Sequence, residues 1–291
     1  MTTGCRLIAD TKDELGEGPV LVARENALRW VDIFGRRWHR FDLGTGALRT
    51  IPLSEGLTAF APRRSGGFVG TFESGFAFLT EDAAEISWLH RPETALADNR
   101  FNDGGTDPRG RFLAGSMNKV GGGATGTLYH LDAERRLTTL RSGIGISNTI
   151  AFSPDGRILY FADTAAGDLG AYEYDPDSGK LGARKGFVPS KDVPGHPDGS
   201  AVDAEGYLWN ARWDGWCVVR FAPDGRVDRI VELPVQRPTS CAFGPAGSTT
   251  LYITSAAFDL KGDELARQPW AGGLLAIDAG VTGIPRPPYE G

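Results

Sequence analysis

The stretch "SNTIAFSPDGRILYFADT", residues 147–164, holds the organisation of the chain in miniature. An apolar run, Thr149-Ile150-Ala151-Phe152, leads into Ser-Pro-Asp-Gly and then into a second β-rich run. Pro at the second turn position and a late Gly between such runs signal a type I-like turn inside a β-hairpin. The pattern recurs as "TDPRGRFLAGS" (106–116), "VDAEGYLWNAR" (202–212) and "FGPAGSTTLYITS" (243–255). Weaker copies are "LVARENALRWVD" (21–32) and "FAPRRSGGFVGT" (60–71). Further strands with alternating apolar residues follow, such as "WHRFDL" (38–43), "GTLYHLD" (126–132), "GAYEYD" (170–175), "CVVRFAPDG" (217–225) and "GLLAIDA" (273–279). Copies spaced roughly 40 to 50 residues apart, each with about four strands, carry the signature of a propeller. The expectation is an all-β, six-bladed β-propeller of four-stranded blades, one domain over residues 1–291. The N-terminal "CRLIAD" (5–10) is the strand expected to close the ring. A β-sandwich would leave the repetition unexplained.

Composition fits that architecture. In 291 residues there are 40 glycines and 18 prolines, scattered rather than clustered, as frequent tight turns require. Hydrophobic content of 41% and charged content of 23% describe a globular chain with enough apolar residues for a core. A net charge of −6 argues against nucleic acid or an anionic membrane as partner, and no obligate protein partner is indicated. Cys5, Cys217 and Cys241 are widely separated, with no CxxC, so neither a zinc ribbon nor a disulfide framework is expected. No apolar run reaches the length of a membrane span, and "MTTGCRLIADTKDELGEGP" shows no secretory pattern. A reduced cytoplasmic location is the expectation.

Registering the copies on their turns and reading five positions back gives Glu17, Gly56, Asn102, Asn148, Asp198 and Thr239. Equivalent positions on the inner strands of a propeller form a ring about its axis. Two carboxylates and two carboxamides among them are hard oxygen donors of the kind a divalent cation takes.

The same residues carry a resemblance. "LGEGPV", "WVDI", "RFNDGGTDPRGRFLAGSM", "ISNTIAFSPDGRILYFADT", "HPDGSAVDAEGYLW" and "ELPVQRPTSCAFG" resemble, in order, the motifs of the gluconolactonase, regucalcin (senescence marker protein) and luciferin-regenerating-enzyme family. The resemblance runs from Leu15 to about Gly273. It implies one divalent metal near the axis, with Glu17, Asn148 and Asp198 as ligands, and a sugar-lactone hydrolase activity. It also implies that Arg100 binds the substrate and that Asn102, beside the metal, contacts the substrate or a metal-bound water. The chain departs from the family at Thr149, where Gly is common, at Asn118 and Lys119 before the glycines of 121–123, and at Asn210, Arg212 and Asp214. These departures are expected near the substrate mouth and bear on which sugar is accepted.

The proposed reaction opens an aldonolactone to the sugar acid. A divalent cation would polarise the lactone carbonyl and lower the pKa of water, with Asp198 as proton acceptor. The donor types suit Ca²⁺, Mg²⁺ or Mn²⁺ and leave Zn²⁺ and Fe²⁺ open. Rival readings are a metal hydrolase for phosphotriesters or aryl lactones, and a calcium-binding propeller without turnover. Among four histidines none has HExxH spacing, and His196 reads as a loop residue packed on proline or as a pocket base. There is no GxSxG elbow, and "VGGGATG" (120–126) lacks the Lys-Ser/Thr of a phosphate loop and reads as a flexible connection. Asp32 and Asp163 are expected to hold loop backbone. Trp209, Trp213 and Trp216 read as core packing, with Trp213 a candidate wall for a sugar ring.

Overall fold

The computed structural model describes residues 4–121, 123–186 and 193–291. The strands form six four-stranded antiparallel sheets, the all-β architecture of a six-bladed β-propeller. In chain order their first strands are Gly16–Val22, Leu57–Pro62, Asn99–Thr106, Ser147–Phe152, His196–Val202 and Pro238–Phe243, which number blades 1 to 6. The N-terminal strand Arg6–Ala9 pairs antiparallel with Leu274–Asp278 and completes blade 6, as the sequence leads one to expect. Helix among the described residues is confined to one α-helical turn, Asp263–Ala266, and two 3₁₀ turns, Ala23–Glu25 and Thr164–Ala166. None is long and apolar enough to cross a membrane.

The recurring turn has a physical basis in its Asp. In blade 3 the Asp107 carboxylate accepts the backbone N–H groups of Arg109 and Arg111, both at 2.9 Å. In blade 5 Asp203 accepts those of Glu205 and Tyr207, both at 3.0 Å. Such a carboxylate satisfies turn donors that the strand ladder leaves over. The late glycine of each turn, Gly110 at φ 72° and Gly206 at φ 85°, takes the left-handed conformation that closes it.

The described residues fall into two compact units. The first, within 1–54 and 189–285, contains blades 1, 5 and 6; the second, within 55–188 and 286–291, contains blades 2, 3 and 4. In the first unit Trp209, Val218, Leu251, Ile253 and Leu275 pack together, and Trp30 joins Leu28 and Leu274 in a second cluster. In the second unit Phe76, Phe101, Phe112, Tyr129 and Tyr289 form an aromatic cluster, with edge-to-face contact between Phe76 and Phe101 at 4.9 Å. Full burial of each Phe is worth about 1.5–3 kcal/mol. None of the three cysteines is in a disulfide; Cys217 and Cys241 are buried and Cys5 partly so.

One buried group in this core makes stability pH-dependent. His130, in the strand Gly126–Leu131, places Nδ1 at 3.4 Å from Thr138 Oγ1, while Nε2 is buried with no hydrogen-bond partner among the described residues. Burial, reinforced by the Arg111 charge, holds its pKa below the ordinary histidine value of about 6.5. Above that pH His130 is neutral whether folded or not; below it the unfolded chain binds a proton that the folded chain refuses. Stability is therefore present above about 6.5 and falls as pH drops through that value toward the folded pKa, with a limiting slope of about 1.4 kcal/mol per pH unit. His130→Gln should flatten that fall, read as the difference in urea midpoint between variant and wild type at about pH 7.5 and about pH 5.5.

Candidate functional site

Every first strand breaks register with its neighbour at the same place. The ladder shifts between Glu17 and Val20, Leu57 and Ala59, Phe101 and Asp103, Asn148 and Ala151, Pro197 and Ser200, and Pro238 and Ser240. A bulge of this kind bends the strand and re-aims a side chain. Asn102, Asp198 and Thr239 lie within the shifts, and Glu17 and Asn148 immediately precede theirs. In blade 2 the residue at the shift is Thr58, so the expected ring position Gly56 is corrected by two residues. The paired glycines Gly66 and Gly67, both with positive φ, obscure where that turn begins in the sequence.

Blades 2 and 6 use their bulges for internal bonding. Thr58 Oγ1 donates to the Thr71 carbonyl at 3.0 Å. Thr239 Oγ1 lies 2.5 Å from the Gly16 carbonyl and 2.9 Å from Thr254 Oγ1. The Thr239 hydroxyl thereby ties blade 6 to blade 1 within the first unit.

The second unit brings the expected residues of blades 3 and 4 into one chain of hydrogen bonds. Arg100 Nη1 donates to Asn102 Oδ1 at 2.7 Å and to the Phe101 carbonyl at 2.8 Å. Asn102 Nδ2 donates to Asn148 Oδ1 at 3.0 Å and to the Ser147 carbonyl at 2.9 Å. Asn148 Nδ2 continues to Thr164 Oγ1 at 2.8 Å. Arg100 is buried, 5% exposed, so it is not a surface arginine. The carboxamide oxygen of Asn148 has a second lone pair beyond the one taken by Asn102.

In the first unit Glu17 and Asp198 are buried carboxylates, 9% and 5% exposed. Glu17 Oε2 accepts the Gly18 N–H at 2.9 Å. Asp198 is held through its backbone: Asn210 Nδ2 donates to the Asp198 carbonyl at 2.8 Å and to Ser200 Oγ at 2.9 Å. Asn210 Oδ1 accepts from Arg212 Nη1 at 3.0 Å, and Arg212 also donates to the carbonyls of Pro194 and Gly195. Asn210 and Arg212, expected at a substrate mouth, are instead fully interior. Burial pulls the Arg212 guanidinium down to about 10, against the attraction of Cys217 and Asp198. Asp214 is spent on Arg237 and Gln236.

The two carboxylates of the first unit and, separately, the pinned carboxamide oxygen of the second are hard oxygen donors, the chemistry that a divalent cation takes. Among the described residues no three His, Cys, Asp or Glu side chains cluster, so a site made of acids and imidazoles alone is not offered. Asp32 accepts the Leu15 and Gly35 N–H groups, and Asp163 those of Gly145 and Ile146, the backbone role expected of both. His196 opens its strand with an exposed side chain. Trp209 is core and donates to Asp203, Trp213 lies 5.0 Å from the Arg237 guanidinium, and Trp216 is exposed. In the 118–126 connection, Asn118 Oδ1 accepts the Val120 N–H, and Gly122 lies outside the described residues. The sequence reading missed Asp103, whose carboxylate accepts the Gly104 N–H at 2.7 Å and the N–H groups of Thr149 and Ile150.

Residues 15–257 match the SMP-30/Gluconolactonase/LRE-like region. A 6-deoxy-6-sulfogluconolactonase of Pseudomonas putida is 38% identical over 278 residues, covering 95% of each chain. The pentonolactonase XacC of Haloferax volcanii is 36% identical over 285 residues, covering 96% of this chain and 95% of its own. A crystal structure of a calcium-binding protein, regucalcin, from Agrobacterium tumefaciens superposes with a TM-score of 0.94 at 30% identity, over 99% of this chain and 98% of that one. With the family's motifs in order along the chain and its fold reproduced throughout, the protein belongs to the SMP-30/gluconolactonase/LRE-like family.

Proposed function

We propose that this protein is a lactonase that opens a sugar lactone to the sugar acid with the help of one divalent cation. The observation that carries the reading is the placement of Glu17, Asn102, Asn148 and Asp198 at the first-strand bulges of four blades. The lactonase relatives give the reaction class. On this reading Glu17, Asn148 and Asp198 are the metal ligands, and the full chain acts as one propeller domain in the cytoplasm.

A bound cation would supply polarisation of the lactone carbonyl and a lowered pKa for water. The chain's own groups do the rest. Glu17 and Asp198 bring the negative charge that retains a dication, and Asp198 is the carboxylate that takes a proton from the attacking water and returns one to the ring oxygen as its bond to the carbonyl carbon breaks. Arg100 and Asn102 orient the lactone through its carbonyl and hydroxyl oxygens, for which the planar guanidinium fork is suited. Ca²⁺, Mg²⁺, Mn²⁺, Zn²⁺ and Fe²⁺ all accept such donors to different degrees. The regucalcin neighbour, described as calcium-binding, gives the second reading, a propeller that binds Ca²⁺ without turnover. A panel of aldonolactones, aryl lactones and phosphotriesters, followed by acid release with each metal added, separates these.

Glu17→Gln and Asp198→Ala should each lose metal-dependent turnover while melting as folded proteins. Chelation followed by metal re-addition is the check, and wild-type activity in either variant would remove that residue from the site. Arg100→Ala should lower kcat/KM on the best lactone about ten- to a hundredfold, the effect of losing one charge-assisted hydrogen bond of about 1.5–3 kcal/mol. Its Mn²⁺ affinity by calorimetry should change far less, because Thr164 and the Ser147 carbonyl still fix the neighbouring amides. Unchanged kcat/KM would strike Arg100 from substrate binding.

A further inference from the structure

The C-terminal segment 286–291 is bound along its length to blades 2 and 3, all within the second unit. Thr106 Oγ1 donates to the Pro287 carbonyl at 2.6 Å, and the Tyr289 N–H to the Pro62 carbonyl at 2.8 Å. The Arg64 and Glu290 N–H groups donate to the carbonyls of Tyr289 and Gly110, each at 2.9 Å. The Tyr289 ring is fully buried, and its hydroxyl donates to the Asp132 carbonyl at 2.6 Å. Docking this firm fixes where Arg286 reaches. Prolines at 285, 287 and 288 stiffen the backbone around it.

The Arg286 guanidinium lies against the first strand of blade 3, where a Cβ on Gly105 would come within 2.3 Å of its Nη1. Gly105 is therefore the residue that admits it. Asp103 stands two residues before Gly105, and the two side chains attract each other. Burial pushes the Asp103 carboxyl up to about 6, while the Arg286 charge and the N–H groups of Gly104, Ile150 and Thr149 pull the other way. Two of those N–H groups belong to the residues directly after Asn148. Thr149 there has φ 53°, a left-handed conformation costly for a β-branched residue. At the corresponding place after Glu17, blade 1 has Gly18 at φ 52°.

We propose that Arg286 is a positioning residue for the candidate site: through Asp103 it holds the Thr149–Ile150 backbone in the bulge that presents Asn148. Only the ionised carboxylate accepts both N–H groups without competing as a donor, and a guanidinium beside a half-buried carboxylate favours that form. The tail supplies that charge, and the tether holds a conformation that blade 1 obtains from glycine. The proposal rests on the reading of Asn148 as a site residue.

The test uses the full chain carrying Arg286→Ala, with amide hydrogen exchange at Thr149 and Ile150 measured without added metal and Mn²⁺ affinity measured by calorimetry. Exchange at both amides should quicken about ten- to a hundredfold, as expected for loss of a charge-supported bond, with the Leu159–Tyr172 pairing of blade 4 unaffected. Mn²⁺ affinity should fall about tenfold, and Thr149→Gly in the same chain should recover most of that loss, because glycine holds the left-handed turn unaided. Arg286→Gln, which removes the charge but keeps a polar side chain, carries the test if the alanine variant does not fold. Unchanged exchange at both amides in a folded variant, or equal Mn²⁺ loss with and without Thr149→Gly, would overturn the proposal. Failure of the wild type to bind Mn²⁺ would count against the metal reading alone, since the exchange measurement judges the tether without metal.

Discussion

A register shift in the first strand of each blade is the constraint on which the site depends. In an uninterrupted ladder, side chains alternate strictly between the two faces, and every polar residue on the strand would sit against a neighbouring sheet. The extra residue breaks the alternation at one point and releases a single side chain from the packing. Where the released residue is threonine, as at Thr58 and Thr239, its hydroxyl is absorbed by the adjacent strand. Where it is Asn102 or Asp198, or where Glu17 or Asn148 stands at the edge of the shift, a larger polar group is presented instead. The same backbone device serves cohesion in two blades and presents the candidate site residues in the other four.

Presenting a buried polar group is expensive unless its surroundings are arranged for it, and the two units do this differently. In the first unit the support for Asp198 reaches its backbone, through Asn210, and Arg212 then ties Asn210 to the Pro194–Gly195 carbonyls. In the second unit the support runs from side chain to side chain, Arg100 to Asn102 to Asn148 to Thr164. Removing an interior member of either network leaves a buried donor or acceptor without its partner, which costs more than the net value of the bond itself.

What could be read from the sequence was local, and what could not be read was set by distant residues. The hairpin turn announces itself because Asp107 and Asp203 close their own turns within four residues. The bulge position of five blades followed from counting back from that turn. The count slipped in blade 2, where two glycines blur the turn and the bulge falls on Thr58 rather than Gly56. Asn210 and Arg212 look like surface polar residues in "LWNARWDGW" because nothing nearby in sequence shows that they face a bulge twelve residues away. Asp103 and Arg286 are further still from legible: their approach depends on where the C-terminal tail docks, and the tail's partners lie in two different blades.

The polarity of the second unit's network follows from groups that can act only one way. A guanidinium only donates, so Arg100 obliges Asn102 to turn its oxygen toward it. A backbone carbonyl only accepts, so Ser147 obliges the same side chain to turn its NH₂ the other way. With both ends of Asn102 determined, its remaining N–H must find an acceptor, and Asn148 meets it with Oδ1 rather than Nδ2. Reversing Asn148 would set its Nδ2 against that of Asn102, donor against donor. The carboxamide oxygen of Asn148 is therefore fixed in place by a polarity imposed from two directions, before any ligand arrives. For a cation that selects oxygen over nitrogen donors, that is the part of preorganisation a flexible amide cannot supply by itself.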